Sequence, residues 1–295
     1  AALYRSVLPA ENLLLVNTPT RFNSETTKNL ARRLAENLEA PFVELPIDSF
    51  INETVSQIDD LQIPFPSDMK TLHLTGFMKE NIQARDRSTR ILATLSSAFG
   101  GIFTCNANKT ELTVGYGTLY GDLSGALAAT ADLWKHQIYA LGRTLNRYFD
   151  KNMIPDEIFT VRPSAELSEN QDITKGLGDP LIYEYHDFLF RSFIEPWNRI
   201  TPEEILTWYS KNCLEEKLGT PVSIKSIFKT HHDFITDLEK WWNLFAGFAV
   251  AKRIQAPPLL AVSRRPYGYD LRESQIAPYY TDTYIHLKNS LLSNG

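Results

Sequence analysis

Cysteine is scarce in this sequence, and an excess of basic charge is absent. Only Cys105 and Cys213 occur among 295 residues, too few for a disulfide framework and without the C-x-x-C spacing of a zinc site. Lys and Arg number 30 against 35 Asp and Glu, so the net charge is −5. Proteins that coat a nucleic-acid backbone need a cationic surplus. We therefore expect a protein of the reducing cytoplasm that does not bind nucleic acid.

Long apolar runs are also missing. The longest, LFAGFAVA at residues 244–251, is far shorter than the roughly 20 residues that span a bilayer. We expect no membrane association. The composition, 43% hydrophobic and 22% charged, is that of a globular chain that can bury one large core or two modest ones.

The common phosphate-binding loops are a third absence. The chain contains neither GxxxxGK[ST] nor GxGxxG. His231 and His232 are adjacent and would point to different faces of a helix, so we interpret them as a solvated pair and not as metal ligands. His186 and Asp187 are interpreted as ordinary hydrogen-bonding groups of the core or surface.

Short apolar runs and helical patterns alternate over the first half of the chain. A cap at Ser24 opens a helix that ends near Ala40, and a stretch containing Pro64 and Pro66 predicts a loop. The other predicted elements are strands at 13–16, 42–45 and 102–105 and helices at 77–98 and 133–148. This alternation favours βαβ units and a parallel sheet flanked by helices, which is an α/β fold.

Helices and aromatic-rich loops dominate from about residue 164. Thr201, Pro202 and Glu204 form a helix start with a capping box, and a longer helix is predicted at 233–254. We expect one domain, 1–295, with an α/β core at 1–163 and a helical extension at 164–295.

Two polar segments follow predicted strands, NTPTR at 17–21 and CNANKTE at 105–111. Ligands of parallel sheets bind at the carboxyl ends of strands, so both segments are candidate site loops. Glu111 opens a helix there, where its carboxylate would suit a magnesium ion that bridges phosphates. Partnering the helix dipole is the alternative interpretation.

Two further segments carry clustered polar groups. In ENIQARDR, residues 80–87, Asn81 and Arg85 share a helical face that could grip a carboxylate or phosphate, or simply be solvated. In SRRPYGYDLR, residues 263–272, three arginines predict a phosphate or interface role or a solvated tail, and tyrosines would pack beneath them.

Taken together, these segments resemble a known family. ENIQARDR, NKTE, VGYGTLYGD, DLWK, PSAEL, AKRIQAPP and SRRPYGYD occur in the order typical of NAD synthetases, and the match covers nearly the whole chain. Leu119 and Ala126 stand where ammonia-dependent members have lysine and aspartate, so the chain is most similar to the synthetase portion of the glutamine-dependent bacterial enzymes.

The resemblance implies a fold and a reaction. The fold would be adenine nucleotide α-hydrolase-like, a parallel sheet flanked by helices. The activity would be an ATP pyrophosphatase that adenylates the nicotinate carboxylate of deamido-NAD, after which ammonia displaces AMP and NAD forms. No protein nucleophile is required, so the protein would align substrates and neutralise charge.

The resemblance also assigns residues. Glu111 would hold Mg²⁺, Asp122 would hold the incoming ammonia, and Lys135 would neutralise phosphate charge. The remaining predicted contacts are Arg21, Asn106, Lys135 and Ser164 for ATP and Asn81, Arg85 and Lys252 for deamido-NAD.

Partners and missing parts follow from the same resemblance. Family members carry an SGGxDS phosphate loop before a helix like AALYRSVL, so we expect the chain to begin just after that loop and not to catalyse the reaction alone. Ammonia would come from a glutaminase domain outside this chain, and the protein would be a homodimer or larger. Two other interpretations stay open: an ATP pyrophosphatase with another acceptor, such as a purine nucleotide or tRNA base, and a non-catalytic nucleotide-binding remnant.

Overall fold

The computed structural model describes residues 1–267 and 278–293. These residues form two compact units, each built from several stretches of chain. Unit 1 contains Ala1–Phe103, Tyr120–Asp122 and Tyr139–Pro180, and unit 2 contains Thr104–Leu119, Leu123–Ile138 and the described residues of Leu181–Gly295. The expected single domain, with a core at 1–163 and an extension at 164–295, stays a prediction.

Helices make up most of the regular structure. The strands are β1 (Leu15–Asn17), β2 (Phe42–Glu44), β3 (Gln62–Phe65) and β4 (Asp68–Thr71). The helices are α1 (Ala2–Arg5), α2 (Glu25–Asn37), α3 (Asp48–Ile58), α4 (Gly76–Arg85), α5 (Ala93–Phe99), α6 (Lys109–Val114), α7 (Lys135–Tyr148), α8 (Tyr183–Ile194), α9 (Pro202–Ser210), α10 (Leu214–Leu218), α11 (Ile224–Ile227), α12 (His231–Ala246), α13 (Ala249–Gln255) and α14 (Asp282–Ser293). A π-helical stretch, Asp86–Leu92, joins α4 to α5. Among the described residues, no helix combines the length and apolarity needed to cross a membrane.

The predicted βαβ unit is present in unit 1. β1 and β2 pair in parallel, from Leu15 opposite Phe42 to Asn17 opposite Glu44. α2 connects them, and Ser24 caps it by accepting a hydrogen bond from the Thr27 backbone N at 3.2 Å. β1 therefore delivers the NTPTR segment to its carboxyl end, as expected.

The loop predicted around Pro64 is wrong, because residues 62–71 form an antiparallel hairpin. Pro64 lies in β3 opposite Met69 of β4. A two-stranded hairpin tolerates proline because each strand has a side that faces away from its partner and needs no N–H donor there. Proline signals alone therefore do not distinguish this hairpin from a loop.

The strand predicted at 102–105 is also wrong. The segment is extended, and the Cys105 backbone N donates to Leu127 O at 3.0 Å, but no strand is formed at 102–105. An apolar run cannot by itself specify a β-ladder, because the ladder depends on a partner segment elsewhere in the chain.

The helix predicted at 233–254 is broken in two. α12 ends at Ala246 and α13 starts at Ala249, and Gly247 between them has φ −101° and ψ −124°. A Cβ at Gly247 would lie only 2.5 Å from the Asn243 carbonyl oxygen. Glycine therefore permits a sharp change of direction that the apolar periodicity of this segment does not reveal.

Unit 2 is organised around the short helix α6, which packs against α8, α12 and α13. Its core contains aromatic residues that are almost fully buried, among them Trp134, Phe193 and Trp241. His186 is a buried core residue whose Nε2 lies 3.0 Å from Asp237 Oδ2, which confirms its interpretation as a hydrogen-bonding group. The solvated pair predicted for His231 and His232 is wrong for His231, because its Nδ1 lies 2.8 Å from the Tyr209 hydroxyl.

Candidate active site

Helix α6 begins with a reciprocal cap that includes Glu111. Asn108 Oδ1 accepts a hydrogen bond from the Glu111 backbone N at 2.9 Å, and Glu111 Oε2 accepts one from the Asn108 backbone N at 3.1 Å. This capping box satisfies two backbone donors that a helix start otherwise leaves unpaired. Glu111 thus lies in the first turn of α6, where a helix-dipole partner would lie, and the cap uses one of its two carboxylate oxygens.

The other oxygen faces a cation. Glu111 Oε1 lies 3.9 Å from Lys135 Nζ, and the two side chains are 19% and 20% exposed. Lys135 is the first residue of α7, and its ammonium also lies 5.0 Å from the centre of the Tyr183 ring. The structure thus brings together two of the predicted site residues, a carboxylate and an ammonium, at a partly open position.

A buried carboxylate that the sequence analysis interpreted only as a hydrogen-bonding group joins the two helix starts. Asp187 of α8 is fully buried and accepts a hydrogen bond from Thr110 Oγ1. It also accepts one from the His136 backbone N at 2.8 Å, and the Lys135 backbone N donates to Thr110 Oγ1 at 3.2 Å. Sequence offers no direct signal for this arrangement, because Asp187 is more than fifty residues from His136.

A second buried network fixes the far side of α6. Lys109 is fully buried, and its Nζ donates to Asp132 Oδ1, Ser263 Oγ and Arg265 O at 2.8, 2.7 and 3.0 Å. Burial raises the pKa of Asp132. Its hydrogen bonds from Lys109, from the Ser263 hydroxyl and from backbone N–H groups together lower that pKa by more, so the net shift is downward. The network ties the 263–265 segment to α6.

Lys252 lies at the other end of α6. Its Nζ donates to the Gly115 carbonyl oxygen at 2.7 Å. Gly115 has φ +65°, and a Cβ there would lie 2.9 Å from Ala249 Cα and 3.0 Å from Lys252 Cδ. Glycine is needed at this position both for its left-handed backbone and for the close approach of α13.

Asn106 and the arginine segment complete the predicted groups of unit 2. Asn106 is exposed, and its Oδ1 accepts from Thr104 Oγ1 at 3.4 Å. Arg265 lies over the Trp197 ring, with 5.5 Å between its guanidinium carbon and the ring centre. Tyr267 packs against Arg253, and Tyr269 and Arg272 lie outside the described residues.

In unit 1, another buried carboxylate joins the segments that contain two of the predicted ATP contacts, Arg21 and Ser164. Glu166 is 3% exposed and accepts hydrogen bonds from Asn23 Nδ2, the Ser24 backbone N and Thr27 Oγ1. These groups open α2, just after Arg21. Ser164, two residues before Glu166, accepts from the Glu166 backbone N at 3.2 Å. Glu166 therefore connects the PSAEL segment to the NTPTR segment.

Asn81 and Arg85 lie one turn apart on α4. Asn81 Nδ2 donates to Phe77 O at 3.0 Å, and the Arg85 side chain is exposed. This geometry is compatible with both interpretations of the segment, a ligand-gripping face and a solvated one. The choice between them stays a prediction.

Arg87, in the same segment, is less exposed than Arg85. Its Nε donates to Thr18 O at 3.1 Å, in the loop after β1. Burial lowers the pKa of the Arg87 guanidinium, and the charge of Asp122 acts in the opposite direction. Asp122 itself is exposed and follows Tyr120, whose φ of +60° is uncommon for a bulky residue and is often found at functional sites.

Comparison with known proteins places these residues in a family. The family model described as NAD synthase matches residues 1–226. The chain belongs to the NAD synthase family. The matched region contains each of the predicted site residues except Lys252, which lies beyond residue 226.

Individual relatives agree with this membership of the NAD synthase family. The glutamine-dependent NAD(+) synthetase of Thermotoga maritima is 33% identical over 205 residues, which cover 70% of this chain and 33% of that protein. The NH(3)-dependent NAD(+) synthetase of Helicobacter hepaticus is 31% identical over 220 residues, 74% of each chain. The chain thus spans about a third of the length of its glutamine-dependent relative from Thermotoga.

A solved structure confirms the fold class. The glutamine-dependent NAD(+) synthetase of Cytophaga hutchinsonii superposes with a TM-score of 0.64 at 19% identity, covering 94% of this chain and 40% of that one. The chain therefore has the predicted α/β fold, adenine nucleotide α-hydrolase-like, with a parallel sheet and many helices.

Proposed function

We propose that this chain carries an NAD synthetase activity, the ATP-dependent amidation of deamido-NAD to NAD. The observation that carries the proposal is the family match over residues 1–226, which spans the Glu111 carboxylate and the Lys135 ammonium 3.9 Å apart. The names of the relatives support the same reaction. The other interpretations, a different acceptor or a non-catalytic remnant, gain no support from these comparisons.

The reaction proceeds by two displacements. A carboxylate oxygen of deamido-NAD attacks the α-phosphorus of ATP, the bond to the β-phosphate oxygen breaks, and pyrophosphate leaves. Ammonia then attacks the carbonyl carbon of the adenylate, AMP leaves, and the nitrogen loses a proton. Each step needs alignment and charge neutralisation, not a protein nucleophile.

Each predicted residue has a role in this scheme. Lys135 neutralises phosphate charge in the first step, and Asp122 orients ammonia in the second by accepting its hydrogen bonds. The remaining assignments are ATP contacts by Arg21, Asn106 and Ser164 and deamido-NAD contacts by Asn81, Arg85 and Lys252.

Magnesium fits the donor set around Glu111. Carboxylate oxygens are the ligands that Mg²⁺ prefers, and this ion commonly combines one or two carboxylates with substrate phosphates. The helix cap uses Glu111 Oε2, and Oε1 lies 3.9 Å from Lys135 Nζ. Glu111 would hold the ion, which would supply positive charge to the phosphates of ATP.

The nitrogen source and assembly are further parts of the proposal. A glutaminase domain outside this chain would supply ammonia, in keeping with the names of the glutamine-dependent relatives. The protein would assemble as a homodimer or larger. Cys105 and Cys213 are both free thiols, which suits a reducing cytoplasmic location.

Product analysis tests the reaction. The intact protein, in which this chain would be preceded by an SGGxDS phosphate loop, is incubated with deamido-NAD, Mg²⁺, ATP and ammonium, and products are separated by chromatography. We expect NAD and AMP in equal amounts, with pyrophosphate. ADP and phosphate, or no turnover of deamido-NAD, would contradict the proposal.

A matched pair of variants separates the site from the bulk surface. Lys135→Met removes the ammonium beside Glu111, and we expect it to abolish turnover. Lys151→Met removes the cation of an exposed ion pair with Glu39, 3.6 Å across, and should leave turnover unchanged.

A further inference from the structure

Two helix starts in unit 2 carry Glu111 and Lys135, and they are joined by one side chain that neither the resemblance nor the relatives assign. Asp187 Oδ1 accepts from Thr110 Oγ1, and Oδ2 accepts from the His136 backbone N at 2.8 Å and lies 2.7 Å from His136 Nδ1. Thr110 and His136 are the immediate neighbours of Glu111 and Lys135. We propose that Asp187 is a positioning residue that fixes Glu111 relative to Lys135.

The burial of Asp187 explains why the link is rigid. The residue is fully buried, and a carboxylate withdrawn from water is stable only when hydrogen bonds replace its hydration. Its two oxygens obtain those bonds from two separate chain segments. Either segment can move away only by leaving one oxygen of a buried carboxylate without a donor, which is costly.

Thr110 extends the link. Its hydroxyl donates to Asp187 and accepts from the Lys135 backbone N at 3.2 Å, so the first turn of α6 is bonded directly to the first residue of α7. Because Glu111 follows Thr110 on α6 and Lys135 opens α7, the 3.9 Å between carboxylate and ammonium depends on this contact. Asp187 acts on the ligands only through these neighbours.

A purely structural role is the competing explanation, and the chain offers a matched control for it. Asp237 is a second carboxylate beside a buried histidine of unit 2, with Oδ2 3.0 Å from His186 Nε2 and Oδ1 accepting from Trp241 Nε1 at 2.8 Å. The His186 contact joins α8 to α12, the Trp241 bond lies within α12, and neither involves the first turns of α6 and α7. Removing the charge of either aspartate should lower the stability of the protein, but only the change at Asp187 should alter the placement of Glu111 relative to Lys135.

The experiment compares Asp187→Asn with Asp237→Asn, using thermal unfolding, calorimetric titration with Mg²⁺-ATP, and amide hydrogen exchange at residues 109–114 and 135–138. We expect both variants to melt earlier. Only Asp187→Asn should accelerate exchange in these two segments. Only this variant should also weaken Mg²⁺-ATP affinity, by roughly 10- to 100-fold, which is the usual effect of losing a residue that orients a metal-binding side chain.

Thr110 supplies a test that survives misfolding of Asp187→Asn. Thr110→Val removes the hydroxyl at nearly constant volume, whereas Thr110→Ser keeps it. We expect Thr110→Val to reproduce the loss of nucleotide affinity and the faster exchange. Thr110→Ser should keep the affinity and the exchange rates of the unaltered chain. Equal behaviour of the two Thr110 variants would overturn the positioning role, as would equal effects of Asp187→Asn and Asp237→Asn.

The titration with Mg²⁺-ATP rests on the proposed function, but the hydrogen-exchange measurement does not. Failure of the unaltered chain to bind Mg²⁺-ATP would count against the proposed function. The exchange rates of residues 109–114 and 135–138 would then still decide whether Asp187 holds the two helix starts together, since they are measured without ligand.

Discussion

Single carboxylates in this chain divide their two oxygens between tasks. Glu111 caps α6 with Oε2 and turns Oε1 toward Lys135. Glu166 and Asp187 likewise join segments that are far apart in sequence. For Glu111, a place at the start of a helix and a role as metal ligand are therefore compatible, because the cap found in the structure uses only Oε2.

Two replacements of Glu111 separate these tasks. Glu111→Gln keeps an oxygen that can accept from Asn108 but removes the charge, so stability should change little while Mg²⁺-ATP affinity falls. Glu111→Ala removes the cap as well and should lower the free energy of unfolding by about 0.3–1.5 kcal/mol. Urea unfolding and calorimetric titration measure the two effects. Unchanged Mg²⁺-ATP affinity in both variants would argue against Glu111 as a metal ligand.

Gly115 should be among the least replaceable residues of the chain. Gly115→Ala would place a Cβ 2.9 Å from Ala249 Cα on a backbone with positive φ, so we expect destabilisation above the roughly 1 kcal/mol of backbone strain alone.

Gly219→Ala is the control for that variant. Gly219 has a similar φ of +70°, and its nearest neighbour to a new Cβ is 3.7 Å away. Denaturant unfolding should show the larger loss for Gly115→Ala. Equal losses would mean that α13 moves away at little cost.

At the scale of helices and strands, local signals predicted the start of elements better than their partners. Ser24 and Thr201 cap their helices as predicted, because capping depends on residues three positions apart. The hairpin around Pro64 and the break at Gly247 were missed. The first depends on which segment pairs with which, and the second on a close approach to the Asn243 carbonyl oxygen that leaves no room for a Cβ.

The same limit applies to the candidate site. Glu111 and Lys135 could be proposed from motifs, but Asp187 and Glu166 could not, because their partners lie 51 or more residues away along the chain. Side chains that bond to distant backbone N–H groups leave no local pattern in a sequence. Only the folded arrangement of α8 and α7 identifies Asp187.

Helix α14 should be released at alkaline pH. Burial raises the pKa of Tyr280 to about 12, and burial beside Glu239 also raises the pKa of Tyr284, whose hydroxyl donates to Glu239. Because the folded state favours the neutral phenols, their stabilisation is complete below the unfolded pKa of about 10 and is lost as pH rises toward 12.

Unfolding measured between pH 8 and pH 12 tests this expectation. The free energy of unfolding of the unaltered chain should fall above about pH 10. The double variant Tyr280→Phe and Tyr284→Phe should start lower, since it lacks the hydrogen bonds to Asn243 and Glu239, but should show a weaker pH dependence. Parallel pH curves for the two proteins would contradict the assignment.

At the scale of the whole molecule, the two units differ in how they are stabilised. Unit 2 has an extensive aromatic core around α6, α8 and α12, whereas the core cluster that contains Leu38 and Leu145 in unit 1 is small. Larger buried apolar area gives greater resistance to opening. The units therefore differ in the stability expected of each.

Hydrogen exchange should reveal this difference. We expect the slowest amides in α8 and α12 of unit 2 and faster exchange in β1, β2 and α2 of unit 1, because fewer apolar contacts oppose local opening there. Exchange followed by mass spectrometry at neutral pH would show it. Uniform protection of both units would indicate a single cooperative transition.

The burial of α6 has a consequence for synthesis on the ribosome. Five of its six residues are buried, yet Arg253, which donates to the Thr113 carbonyl, is 140 residues further along the chain. Tyr267, which donates to the Thr113 hydroxyl, is 154 residues away. Until these residues have been synthesised, the α6 segment stays exposed to chaperones and proteases. A chain truncated before α12 would lack the residues that bury α6.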